Sequence, residues 1–181
     1  MPLDINTNII QILDGFEKWE NNIAQLLMNN DDLFKLLWYE DNDPLSKIMT
    51  PEIKENMIFE FDSKMRQNPG CRVFFRKFTG DTETSSKAQL RIYPVRVKPS
   101  DIYYGDMMFR IDCIVHMAID KIKNGQRRHK IASEVLKSIN GQEIQMVQRV
   151  TIRDMFEFIS SQQPHFDGWS LIFNTGVSAI G

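Results

Sequence analysis

The sequence predicts an α+β domain: a mostly antiparallel sheet of about five strands with one helix packed on it, preceded by an N-terminal helical region. Three observations predict it. Apolar residues recur at helical spacing before residue 60, and alternate with period two in stretches from residue 72 onward. One amphipathic helical segment, near residues 127–140, interrupts the strands. Hairpin-length connections between strands favour antiparallel neighbours.

The first helix is expected over residues 4–29, where Ile9, Leu13, Phe16, Ile23 and Leu27 form a stripe reinforced by Ile10, Trp19 and Leu26. Asp4 or Asn6 offers a cap, and Gly15 weakens the middle. Asn29-Asn30 breaks the pattern, and Asp31 or Asp32 starts a short helix carrying Leu33, Phe34, Leu36, Leu37 and Trp38. Asp41-Asn42-Asp43-Pro44 ends it, because the residue before proline avoids helical geometry. Thr50-Pro51 opens a third helix, with threonine as cap and proline in the first turn. Met57 to Phe61 fits either helix or strand, and Asn68-Pro69-Gly70 is a turn.

Arg72 to Phe78 reads as the first strand, Thr79 to Ser86 as a mobile polar loop, and Lys87 to Val97 as the second strand. Pro94 inside that strand requires an edge or a bulge. Residues 107–119 form the central strand: Phe109, Ile111, Cys113, Val115, Met117 and Ile119 share one face, and Arg110, Asp112 and His116 the other. Ile114 and Ala118 indicate that this second face is partly covered. After a polar turn at Lys121 to Gln126 the period becomes helical through Ile131, Ala132, Val135, Leu136 and Ile139, with Ser133, Glu134, Lys137 and Ser138 facing away. Asn140-Gly141 closes the helix. Ile144 to Ile152 looks extended, and so does Met155 to Ile159, although Arg153-Asp154 equally suits the opening of a helical turn; residues 163–168 read as a turn and Trp169 to Phe173 as the last strand. The expected organisation is a helical region at 1–70, an α+β core at 72–175 and a flexible C-terminus at 176–181.

A chain of 181 residues with 42% hydrophobic content suits one domain, or one domain with a substantial appendage. A formal charge of −2 gives no global bias toward nucleic acid or an anionic membrane. No apolar run approaches the roughly 20 residues that span a bilayer, and the acidic, amphipathic start does not read as a signal peptide. With only Cys71 and Cys113, reduced thiols and an intracellular or assembled-particle setting are expected.

Candidate chemistry is sparse. Cys113 and His116 have the spacing of half a metal site but lack further ligands at zinc-like spacing, and on a strand they point to opposite faces. Neither cysteine has a local signature pairing it with His116, His129 or His165 as a nucleophile. Glu40-Asp41-Asn42-Asp43 lacks the alternating ligands and glycine of a calcium loop, and turn formation explains it. The isolated glycines build no phosphate-binding motif. No catalytic residue, cofactor or metal is therefore expected. Arg127-Arg128-His129-Lys130, with Lys121 and Lys123 before it, is the one dense basic cluster. A solvated rim explains it most simply; contact with an anion, DNA or an acidic partner is the sharper reading. The aromatic load before residue 62, from Phe16 and Trp19 to Phe59 and Phe61, is large for short helices; core packing takes most of it, and a remainder exposed as a patch would imply protein partners.

From Arg72 to Phe173 the chain resembles the tail-terminator (tail-completion) family of tailed-bacteriophage neck proteins. The resemblance is carried by the order of Phe109 to Ile119, Gly125-Gln126-Arg127-Arg128, the helix to Leu136, Asn140-Gly141 and the strand after it. Leu36-Leu37-Trp38-Tyr39 and Asp43-Pro44-Leu45 also resemble small phage morphogenesis proteins. The resemblance implies an α+β fold, assembly as a hexameric ring that caps the tail tube, and a surface joining tail to head. It implies tail-tube and head-connector proteins as partners, DNA passing through the ring, and a place in the virion after assembly in the host cytoplasm. It also implies that Arg127, Arg128 and Lys130 face the lumen or a neighbouring subunit. The long helical N-terminus departs from short tail terminators, which leaves a head-completion or adaptor role, or a nucleic-acid-binding accessory role, open.

Overall fold

The computed structural model describes residues 5–58, 68–77, 85–99, 104–144, 148–159 and 164–178, with side chains from Gly15 onward except Glu17 and those of a few residues at element ends. Three helices open the chain: α1 (Ile5–Met28), α2 (Asp31–Trp38) and α3 (Pro51–Ile58), with a 3-10 turn at Pro44–Ser46. Then come β1 (Val73–Phe74), β2 (Ala88–Pro99), β3 (Tyr104–His116), a helical turn α4 (Met117–Asp120) and a two-residue hairpin of β4 (Lys121–Ile122) and β5 (Gly125–Gln126). Helix α5 (Arg127–Ile139) follows, then the small hairpin β6 (Glu143–Ile144) and β7 (Gln148–Arg149), and the long strands β8 (Thr151–Ile159) and β9 (Phe166–Ser178).

The main sheet is ordered β1-β2-β3-β9-β8. All its pairs are antiparallel except the short parallel pair β1–β2. β3 is the central strand, paired along its whole length with β9 and along nearly all of it with β2. The register of β2 slips between Pro94 and Arg96, where proline has no N–H to donate. A second slip lies between Ile152 and Asp154 in β8. At Gly168 the strands approach so closely that an added Cβ would lie 1.8 Å from the carbonyl oxygen of Cys113. Only glycine satisfies that spacing.

The odd-numbered side chains of β3, Phe109, Ile111, Cys113 and Val115, are buried under the helices together with Leu90 and Ile92 of β2 and Leu171 and Phe173 of β9. From above, α1 contributes Trp19, Ile23 and Leu27, α2 contributes Leu33, Phe34, Leu36 and Leu37, and α5 contributes Ile131, Val135 and Ile139. Trp19 meets Phe109 edge-on at 5.1 Å, and Phe109 stacks on Phe173 at 5.2 Å. Such pairs contribute about 0.5–1.5 kcal/mol each beyond area burial. The N-terminal helices thus share one hydrophobic core with the sheet instead of forming a separate layer.

Local chemistry sets the boundaries. Asn30 caps α2 by accepting from the Leu33 N–H at 3.0 Å. The same amide donates to the Glu134 carbonyl and carboxylate and to Ser138 Oγ on α5. Glu134 and Ser138 therefore lie under the start of α2, not on a solvated face. Thr50 Oγ1 accepts from Ile53 N–H at the start of α3. Gly141, at φ +83°, follows the end of α5 as expected.

Several expectations are corrected. Of the strand foreseen from Arg72 to Phe78, the described residues Arg72 to Lys77 contain only the two residues of β1, and Phe78 lies outside the described residues. The central strand stops at His116, whose Nδ1 accepts from the Ala118 N–H and caps α4. Met117 is consequently exposed rather than part of the buried face. The turn foreseen through Gly168 is already strand from Phe166. The last strand, foreseen as Trp169 to Phe173, continues through Ser178, in register with Tyr104. The side chains of Ile9, Ile10 and Leu13, the stretch Phe59–Phe61, most of the Thr79–Ser86 loop and the last three residues lie outside the described residues. No described helix is long and apolar enough to cross a membrane.

Candidate functional site

The basic cluster is dispersed by the fold. The β4–β5 hairpin, with Gly125 at φ +126°, delivers Arg127 to the first turn of α5 pointing inward. Its side chain is fully buried. Nε donates to the Ile119 carbonyl at 2.8 Å, Nη1 to the carbonyls of Leu36 (2.7 Å) and Tyr39, and Nη2 to that of Asp41 (2.6 Å). Leu36 lies in the last turn of α2 and Tyr39 and Asp41 just beyond it, where the last carbonyls have no partner inside the helix and the dipole is negative. Arg127 therefore closes α2 from a distant part of the chain. Burial holds its pKa below the usual arginine value, opposed by Asp41, Asp120 and Glu40.

Arg128 is half-buried and reaches Asp167 Oδ2 at 2.6 Å and Asp120 Oδ2 at 3.5 Å. Its backbone N–H donates to Asp120 Oδ1. His129 Nδ1 accepts from Trp169 Nε1 at 2.8 Å. Lys123 pairs with Asp43, while Lys121 and Lys130 make no ion pair among the described residues. Of the three residues singled out as lumen or partner contacts, Arg127 is occupied inside its own chain, Arg128 ties α5 to β9, and Lys130 is the least constrained.

The cysteines are both buried thiols. Burial, and secondarily Asp112, pushes Cys113 above the usual thiol range, so it stays protonated and a poor nucleophile. His116 is half-buried, its ring edge-on to Phe166 at 4.9 Å. Among the described residues no group of three or more His, Cys, Asp or Glu could hold a metal ion. In the acidic run, Asp41 Oδ1 accepts from the Asp43 N–H, and Lys47 and Lys123 pair with the two carboxylates.

A polar cluster sits on the sheet face away from the helices. Asp112 accepts from Tyr93 Oη at 2.9 Å, Arg110 Nε at 2.6 Å and Ser170 Oγ at 2.6 Å. Arg110 also donates to Ser170 Oγ and lies 4.9 Å over the Phe156 ring. Burial first, then Asp112, pushes the Tyr93 phenol above its usual range. With three donors on a buried carboxylate, the cluster clamps β2, β3 and β9 together. The alternation of Arg110 and Asp112 was visible in the sequence, but their partners come from strands remote in the chain.

The sheet leaves two open edges. Beyond Arg91, β2 has no neighbour on its outer side among the described residues, and β8 has none along its length. Val95 on β2 and Ile152, Met155 and Phe156 on β8 are four of the six large apolar side chains that stay exposed among the described residues. Long edges with apolar side chains are templates for pairing with another chain.

A protein-family model described as YomW matches residues 30–175. No curated protein matches the chain.

Proposed function

The chain belongs to the YomW family, which is phage-associated, and from that premise we propose that it is a non-enzymatic structural subunit of the phage neck. Copies join into a hexameric ring that ends the tail tube and presents the head-joining surface, with tail-tube and head-connector proteins as partners. Its place is the virion, after assembly in the host cytoplasm. The observation that carries the reading is the pair of open sheet edges. β2 and β8 are separated by three antiparallel steps, so they run in opposite directions. When a second copy stands beside the first in the same orientation, its β2 meets β8 as an antiparallel partner. Two different edges meeting head to tail is the interface type that closes rings. A head-completion or adaptor ring of the same neck is the alternative, favoured by α1 and α2, which short tail terminators lack.

The test is mass in solution by light scattering over a concentration series, followed by negative-stain imaging. A ring of about six copies is expected, reduced to monomer by Met155→Lys combined with Ile152→Lys. A chain that stays monomeric up to its solubility limit, alone and with purified tail tubes, refutes the proposal.

A further inference from the structure

At one end of the sheet, on the face that carries Asp112, an open trough of about 430 Å³ crosses four strands. Its floor is one cross-strand row, Arg96–Met108–Asn174–Thr151. Arg96 and Lys98 stand on the β2 side, Arg149 and Arg153 on the β7–β8 side, and Asp106 is the one carboxylate in the lining. All four cations are exposed, and none makes an ion pair or side-chain hydrogen bond among the described residues. Elsewhere seven cations, Lys35, Lys47, Lys54, Arg110, Lys123, Arg128 and Lys137, each pair with a carboxylate. In a chain of net charge −2, four unneutralised cations in one concavity are a concentration of charge that folding does not use.

We propose that this trough binds the phosphate backbone of nucleic acid. The two banks are separated by three interstrand spacings, roughly 14 Å, so their charges are spread across the width of the trough. They suit a polyanion whose charges are spread along a strand. Three of the four cations are arginines, whose planar forks match phosphate oxygens. A concave trough also presents its charges poorly to a flat lipid surface. The recognition carries no base-specific element, so binding is independent of sequence. The site lies within one copy, so it is tested apart from ring formation.

The experiment is fluorescence anisotropy of the full-length protein with a labelled duplex of arbitrary sequence, across a salt series. Three to four phosphate contacts predict a log–log salt slope of roughly −3 to −4. Arg96→Gln combined with Arg153→Gln lowers that slope in magnitude by about 2 and weakens binding about tenfold or more. Arg96→Lys with Arg153→Lys keeps the slope, and Lys121→Ala with Lys130→Ala, at the other end of the sheet, changes neither quantity. Absence of binding at low salt overturns the proposal. So does binding that the glutamine pair leaves intact, or polyglutamate or anionic vesicles competing better than DNA at equal charge.

Discussion

Replacing Arg127 by methionine isolates what a buried guanidinium does in this fold. Methionine keeps most of the apolar stem and removes all the donors. Four carbonyls then lose their partner, those of Leu36, Tyr39, Asp41 and Ile119. A hydrogen bond from a charged donor contributes about 1.5–3 kcal/mol net, and an acceptor left dry costs about 1–3 kcal/mol. Only the bond to Leu36 is fully buried, and water reaches parts of the other three. The loss should therefore be near 4 kcal/mol, well below the sum of four full bonds. For a domain of this size that lowers Tm by roughly 8–16 °C. Urea unfolding followed by tryptophan fluorescence reads it, because Trp19 and Trp38 lie in or against the core. Arg127→Lys keeps the charge but not the fork and should lose about half as much. Arg128→Met, which leaves Asp120 and Asp167 without their partly exposed cation, should cost less, about 1–2 kcal/mol. A loss below about 1 kcal/mol for Arg127→Met, or a larger loss for Arg128→Met, would refute the reasoning.

Three further outcomes follow. Gly168→Ala should destabilise the protein by about 3 kcal/mol or more, since its Cβ overlaps the Cys113 backbone and one of the two strands must move; thermal unfolding measures it. Stability should fall with alkaline pH: the folded state raises the Tyr93 pKa above its ordinary 10, so the native chain holds a proton that the unfolded chain releases, and the contribution present below that value is lost as pH climbs past it. Tyr93→Phe should flatten that decline, and a titration of phenolate absorbance in which Tyr93 ionises before global unfolding would contradict the burial argument. Cys71 and Cys113 should both resist a thiol–disulfide reagent in the native protein and react together on unfolding, since both are buried; reaction of Cys113 at a solvent-exposed rate would show that the core is open.

The parts of the fold that were legible from sequence are those where a local residue settles the geometry. Asn29-Asn30 marks a helix break, Thr50-Pro51 and Asn140-Gly141 mark helix ends by capping and by tolerance of positive φ, and Pro94 marks the slip in β2. The alternation of β3 foretold its buried face, and period 3.6 foretold that of α5. What misled was competition from contacts distant in the chain. His116 looked like one more strand position, yet its ring caps the following turn. Phe166 and Asp167 sit among turn-forming residues, but β3 offers them a ladder. Arg127 read as the head of a solvated cluster. One signal pointed inward: it lies four and eight residues before Ile131 and Val135, in phase with the buried stripe of α5. The open edges and the basic trough have no local signature, because both depend on which strands become neighbours.

The position of β9 has a consequence for the order of events during synthesis. It lies between β3 and β8, yet it emerges from the ribosome after both. Until residues 166–178 are made, β3 carries an unsatisfied ladder from Tyr104 to His116 and β8 has no place in the sheet. The outer edge of β8 is therefore created by the last of the five strands to arrive. In the ring we propose, copies cannot join through that edge while their own sheets are incomplete, so association would follow folding instead of competing with it.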